Sequence, residues 1–165
     1  MICFHNPEEQ NGYLSNWYHS AFTVDEITFS SMEQYMMYEK AILFCDHQTA
    51  EKILETDDVA EIKALGRMVR HFDEKSWSKK REAIVYKGVL QKFLQNPELA
   101  EKLVGTGEQM IAECAVKDRI WGIGLSMRDE GRFCVDKWKG QNLLGKILMQ
   151  VRDEISSKNA PPFVL

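Results

Sequence analysis

This chain of 165 residues has only four cysteines, Cys3, Cys45, Cys114 and Cys134, far apart, with no C-x-x-C pair and no histidine at ligand spacing. That argues against a zinc site and fits reduced thiols in a cytoplasm. It also lacks a basic excess. A net charge of −4 argues against gripping duplex nucleic acid by phosphate neutralisation, but leaves room for a pocket that accepts one nucleotide. No apolar run approaches the ~18 residues needed to span a bilayer. The opening MICFHNPEEQ has no basic region followed by an apolar stretch, so neither membrane association nor a secretory signal is expected. Internal repeats and low-complexity linkers are missing too.

What is present is ordinary globular composition, 44% hydrophobic and 28% charged, in a length that fits one domain with a real core. The pattern predicts an α+β fold, predominantly helical, as a single compact domain over residues 1–155 with a short β-hairpin or small sheet. A flexible tail is expected over 156–165. The first 29 residues read as irregular and extended, with "AFTVDEITFS" as a hairpin ending at Phe29. Helical patterning covers 30–45, "HQTAEKILE" and "DVAEIKALGRMVRHF", the last interrupted by Gly66. A longer amphipathic helix follows in "SWSKKREAIVYKGVLQKFL", and Asn96-Pro97 starts another. "QMIAECAV" reads as a short strand, "KDRIWGIGLSMRDEGRF" as loop, and "KGQNLLGKILMQVRDEI" as the final helix, with Asn142 as its cap in preference to a residue that reaches the pocket.

The segment "SSMEQYMMYEKAILFC" (30–45) is apolar nearly all the way round, which marks a central helix. At ~100° per residue, Glu33, Met36, Met37, Lys40, Ala41 and Phe44 share one side. Glu33 and Lys40 stand about 10 Å apart along the axis, too far for a helical ion pair. An unpaired charge in such a place costs several kcal/mol, so each must find a partner, shift its pKa, or face a cavity. Structural readings stand beside the functional one. Ser30-Ser31-Met32-Glu33 matches a capping box in which Glu33 folds back onto the Ser30 N–H. Lys40 has the reach to snorkel to the surface, or to pair with Glu39 or Asp46. Periodicity leaves the choice open.

Several stretches together resemble the NADAR (YbiA-like) family: "LSNWY" at 14–18, "FSSMEQYMMYEKAILFCD" at 29–46, "ALGRMV" at 64–69, "FDEKSWSKKREAIVYKGVLQKFLQNPEL" at 72–99, "DRIWGIGL" at 118–125 and "WKGQNLLGKILMQVR" at 138–152. They cover nearly the whole chain in order. The resemblance implies a mostly helical α+β domain and an enzyme that cleaves N-glycosidic bonds between ribose and an amine, with no metal or organic cofactor. Two substrate groups are implied: ADP-ribose on guanine, free or in nucleic acid, and the phosphoribosyl-amine pyrimidines of early riboflavin synthesis. By motif position, Glu33 is implicated in catalysis, Lys40 as the lysine that forms an imine with the sugar, and Asp118 as a further catalytic residue. Trp77, Trp121, Gly122, Asn16 and Arg67 are expected to bind substrate. The sequence departs from the family at Ala115-Val116-Lys117, where many members carry Ser-Pro ahead of the aspartate.

The chemistry suits these residue types. Breaking a ribosyl–amine bond builds positive charge at C1′, which a carboxylate stabilises while moving the required proton. A lysine amine can displace the departing group through a Schiff base, provided it is neutral. Its reference pKa of about 10.4 must then fall, and apolar neighbours such as Met36, Met37 and Phe44 push it that way. Lys79, Lys80 and Arg81 are further candidates for phosphate, although "SKKRE" also reads as a solvated helix face. A binding module that recognises ADP-ribose without turnover is the alternative of another class.

Overall fold

A computed structural model describes residues 1–159. Four strands and six α-helices are arranged in the order β1 (Ile2–Phe4), β2 (His19–Val24), β3 (Ile27–Ser31), α1 (Met32–Leu43), α2 (His47–Leu54), α3 (Val59–Arg67), α4 (Glu74–Gln95), α5 (Pro97–Val104), β4 (Ile111–Glu113) and α6 (Leu143–Asn159). The helical α+β expectation holds. The hairpin forms as β2 and β3, antiparallel, with Val24 opposite Ile27 and a two-residue turn at Asp25-Glu26, both at positive φ. It runs two residues past Phe29, because Ser31 still pairs with His19 before capping α1.

The second sheet pairs β1 with β4 in parallel, Phe4 opposite Glu113. The first strand lies in a stretch expected to be irregular; at three residues it is too short to show a period of two. Its parallel partner is more than a hundred residues away, and the intervening helices make that connection possible.

α1 is the central helix. It packs against α2, α3, α4 and β3, with every residue from Met32 to Met37 buried. It ends at Leu43, two residues before the expected stop, where Cys45 adopts the left-handed conformation of a helix terminus. Gly66 does not interrupt α3, which continues to Arg67. A Cβ at Gly66 would stand 1.9 Å from Met37 Sδ, so glycine is what lets α3 lie against α1. The polypeptide from Met68 to Asp73 is not helical; Asp46, buried beneath it, accepts bonds from the Arg70 backbone N–H and from its guanidinium at 2.8 Å. Asp46 is therefore committed to Arg70 and not to Lys40.

α6 continues through Asn159, so residues 156–159 of the expected tail are helical. Residues 160–165 lie outside the described residues. Asn142 is not a side-chain cap for α6. It adopts φ 53° and turns its amide toward β4, accepting from Glu113 N and donating to Ile111 O. No helix among the described residues is long and apolar enough to cross a membrane.

One buried cation fixes the polypeptide that leads into α1. Lys92 of α4 is 1% exposed, and its Nζ donates to Tyr13 O at 2.7 Å and Ser15 O at 3.3 Å. Burial lowers its pKa to about 7. The unfolded chain, with an ordinary lysine, then binds more protons between about pH 7 and pH 10, so this residue makes stability rise with pH across that window. Urea unfolding of wild type and Lys92→Met at pH 7.5 and 9.5 should show that rise, roughly 2 kcal/mol, in the wild type and its loss in the variant. Parallel pH dependence in both proteins would remove Lys92 as the cause.

Candidate active site

The first turn of α1 decides what Glu33 is free to do. Ser31 is the N-cap, and its Oγ accepts from Gln34 N at 3.2 Å. Gln34 Oε1 accepts from Ser30 N at 2.7 Å, while its amide donates to Ile53 O and Thr56 O. Ser31 rather than Ser30 is therefore the cap, and the side chain that returns to the Ser30 N–H is Gln34, not Glu33. Glu33 is released from that role. Its backbone N–H bonds Asn16 O at 2.8 Å, and its side chain, 3% exposed, points into a cavity of about 340 Å³.

Lys40 opens into the same cavity two turns along α1. Its Nζ donates to Gly66 O at 2.7 Å and stands 4.3 Å from the centre of the Phe72 ring. The missing side chain of Gly66 thus both seats α3 on α1 and leaves a carbonyl within reach of the amine. Met36 and Met37 line the wall between the two ionisable heads.

The other walls come from separate parts of the chain. The segment tethered by Lys92 supplies Asn16 and Trp17; α3 supplies Lys63 and Arg67, one turn apart; α4 supplies Trp77. β4 and the loop after it supply Glu113, Asp118, Ile120 and Trp121. Trp77 also belongs to the hydrophobic core, so its packing and its cavity wall are one placement. Asp118 Oδ1 accepts from Ile120 N and Trp121 N at 2.9 and 2.8 Å, fixing the turn that presents Trp121. The segment lacking Ser-Pro still delivers this aspartate to the cavity.

Of the residues expected at the site, Asn16, Glu33, Lys40, Arg67, Trp77, Asp118 and Trp121 come together here. Gly122 does not line the cavity. A Cβ there would stand 2.9 Å from Glu113 O and 3.1 Å from Asp118 O, so its role is to let the loop close over β4. Lys79 and Lys80 are exposed, and Arg81 is buried against Glu74 at 3.2 Å; none of the three lines the cavity. Trp17, Lys63 and Glu113 were not singled out from the sequence. Trp17 lies inside the "LSNWY" motif, which was a signal. Lys63 sits four residues before Arg67 on the same helical face, so choosing Arg67 already pointed to it.

Desolvation dominates the electrostatics. It pushes the Glu33 carboxyl up to about 7; Lys63 opposes this, Asp118 adds to it, and a hydrogen bond with Trp17 and the charge of Arg67 oppose it further. Desolvation lowers Lys40, against the pull of Glu74 and Glu33 and with Arg67 adding to the fall. Glu113 rises to about 8 through burial and the charges of Asp118 and Glu33. An acid that holds its proton, and an amine shifted toward its neutral form, thus share one chamber walled by tryptophans. That arrangement can donate and accept protons near neutrality and offers a nucleophile.

A family model described as the NADAR domain matches residues 3–156. An N-glycosidase of Acanthamoeba polyphaga mimivirus is 45% identical over 126 residues, spanning 76% of this chain and 74% of that protein. A riboflavin biosynthesis protein of Vibrio vulnificus is 34% identical over 160 residues; the match takes in 97% of this chain but 40% of the longer relative. The NMR structure of the E. coli protein YbiA superimposes with a TM-score of 0.79 at 25% identity, covering 99% of this chain and 90% of that one.

Holding Glu33 in a dry cavity costs stability once it ionises. The folded chain binds its proton more tightly than the unfolded chain between about pH 4.5 and 7, so this group makes stability fall as pH rises through that window. Glu33→Gln removes the cost. Its stability gain over wild type should be larger at pH 8 than at pH 5.5 by roughly 2 kcal/mol, read from urea midpoints. A gain of equal size at both pH values would contradict the desolvation account.

Proposed function

The chain belongs to the NADAR domain family, and we propose that it is an N-glycosidase that hydrolyses the bond between ribose C1′ and an amine, removing ADP-ribose from guanine through a Schiff base on Lys40. The observation that carries this reading is the opening of the Glu33 carboxyl and the Lys40 amine into one aromatic-walled cavity. The name of the mimiviral relative supports the reaction type.

In this reading Lys40 Nζ, shifted toward its neutral form by desolvation, attacks C1′ as the C1′–N bond breaks and its electron pair leaves on nitrogen. Glu33 stabilises the positive charge that grows on the sugar and moves a proton at the ring oxygen as the ring opens to the imine. Water then adds to C1′, the amine of Lys40 departs, and the sugar recloses. Trp77 and Trp121 flank the flat base, since aromatic faces stack on bases whatever their identity. Asp118 engages ribose hydroxyls through its second oxygen, while Arg67, with Asn16 nearby, serves the phosphates and polar edges. The substrate guanine belongs to a free nucleotide or to nucleic acid.

A second reading has its own support. The Vibrio relative named for riboflavin biosynthesis aligns over almost all of this chain, which favours a phosphoribosyl-amine pyrimidine as substrate. The bond broken and the residues used are the same.

Incubation with ADP-ribosylated guanosine, and separately with a ribosylamino-pyrimidine, should release free base from one of them. Lys40→Ala should reduce release to background and abolish the adduct that borohydride traps on wild type. Near-wild-type turnover in that variant would remove Lys40 from the chemistry. Binding of both compounds without release would favour a recognition module.

A further inference from the structure

Glu113 has a firmly held backbone in the cavity wall. Its N–H bonds Asn142 Oδ1 at 3.1 Å, and its carbonyl accepts from Ile123 N at 2.8 Å and Ala115 N at 3.1 Å. The absent side chain of Gly122 lets the following loop close on that same carbonyl. Every backbone polar group of the residue is thus occupied, yet its carboxyl oxygen Oε2 is shut off from solvent without a hydrogen-bond partner among the described residues. A carboxyl oxygen buried without a partner on a fixed backbone costs stability unless something else in the working cycle occupies it.

Its position suggests what does. Glu113 lines the cavity that holds Glu33 and Lys40, and it also lines a second chamber of about 250 Å³ bounded by His5, Asn6 and Ser15. Trp17, Lys63 and Asp118 are shared by both chambers. Glu113 therefore stands between the reaction chamber and a side chamber that has polar residues in its wall and room for water.

We propose that Glu113 is the proton donor to the departing nitrogen and afterwards the base that activates the hydrolytic water. This rests on the N-glycosidase reading above. As C1′–N breaks, the bond pair stays on nitrogen, which takes the Glu113 proton and leaves a carboxylate. Water from the side chamber then gives one proton to that carboxylate as its oxygen bonds C1′ of the imine, restoring the acid. Proton and electron counts close, with water as the only co-reactant. Glu33 is left to the sugar side, stabilising the cation and serving the ring oxygen.

The ionisable groups that share its two chambers are Glu33 and Lys40 on α1, Lys63 and Arg67 on α3, Asp118 in the loop, and His5 beyond β1; of these, Asp118, Glu33 and Lys63 act on its proton. Asp118 and Glu33 hold the proton on and Lys63 favours its loss. With desolvation the balance lies near pH 8. Wild-type kcat/KM on the accepted ribosyl amine should therefore fall along an alkaline limb inflecting near that pH. Glu113→Gln should lower kcat/KM about 100-fold or more and flatten the limb. Glu113→Asp should retain part of the activity together with a limb, which a merely structural residue has no reason to produce. Melting temperatures of both variants separate misfolding from lost chemistry, and the aspartate variant carries the test if the glutamine variant does not fold. Glu113→Gln within threefold of wild type, or a Gln variant keeping the wild-type limb, would overturn the assignment. If wild type releases base from neither substrate, the N-glycosidase reading fails; if wild type works and the Glu113 variants behave as wild type, only this inference fails.

Discussion

Desolvation of ionisable groups on and around one buried helix is the constraint on which the site depends. α1 is covered by α2, α3, α4 and β3, so Glu33 and Lys40 on its cavity side lose water, and among the described residues neither forms an ion pair in return. Glu33 rises, Lys40 falls, and the two approach the protonation states that acid and nucleophile require. Had Glu33 taken the capping role that its spacing from Ser30 allows, its carboxyl would be bonded to backbone. The glutamine at the next position prevents this, because Gln34 reaches the Ser30 N–H and at the same time anchors α1 to the polypeptide around Ile53 and Thr56. A one-residue shift in capping thus separates a structural carboxylate from a functional one.

The contrast between two lysines makes the same point. Lys92 is more deeply buried than Lys40, and its pKa also falls. Yet its amine is committed to the carbonyls of Tyr13 and Ser15, where it organises the segment that carries Asn16 and Trp17. Lys40 makes one bond to a carbonyl and otherwise faces open space beside a ring. Burial alone does not mark a reactive amine; burial together with an accessible face does.

Much of this was legible in the sequence, for reasons that can be named. An all-round apolar helix bearing two charges announces a central element, although its periodicity did not choose between a cavity and a cap or a snorkelling lysine. The hairpin was readable from its Val-Asp-Glu-Ile centre, and the long α4 from its periodicity. What stayed hidden depended on contacts distant in the chain. β1 is three residues long and exists only because β4 lies beside it. Asn142 looked like a cap from local spacing, but its amide bonds a strand 29 residues earlier in the chain. Gly122, expected at the substrate from its place in the motif, lies outside the cavity wall, and what comes close to it is the Glu113 carbonyl. Glu113 itself sits in a short apolar strand, where a lone acid gives no periodic signal.

These long-range contacts carry a cost that bears on how such a site evolves. Burial holds protons on Glu33 and Glu113 well above the ordinary carboxylate range and shifts Lys40 toward losing one, so the fold works against the ionisation of all three groups. The rest of the fold must supply the compensating free energy. It does so next to the site: the close α1–α3 contact at Gly66, the Asp46–Arg70 bonds beneath the polypeptide after α3, and the Asn142 clasp on β4 all pin backbone within a few residues of an unfavourably placed side chain. Rigid backbone around a frustrated side chain is what keeps the carboxyl from turning outward to water, the relaxation it would otherwise take. Substitutions that loosen those anchors should therefore impair the ionisable groups before they unfold the domain, because the first motion they permit is the one that lets an acid reach solvent.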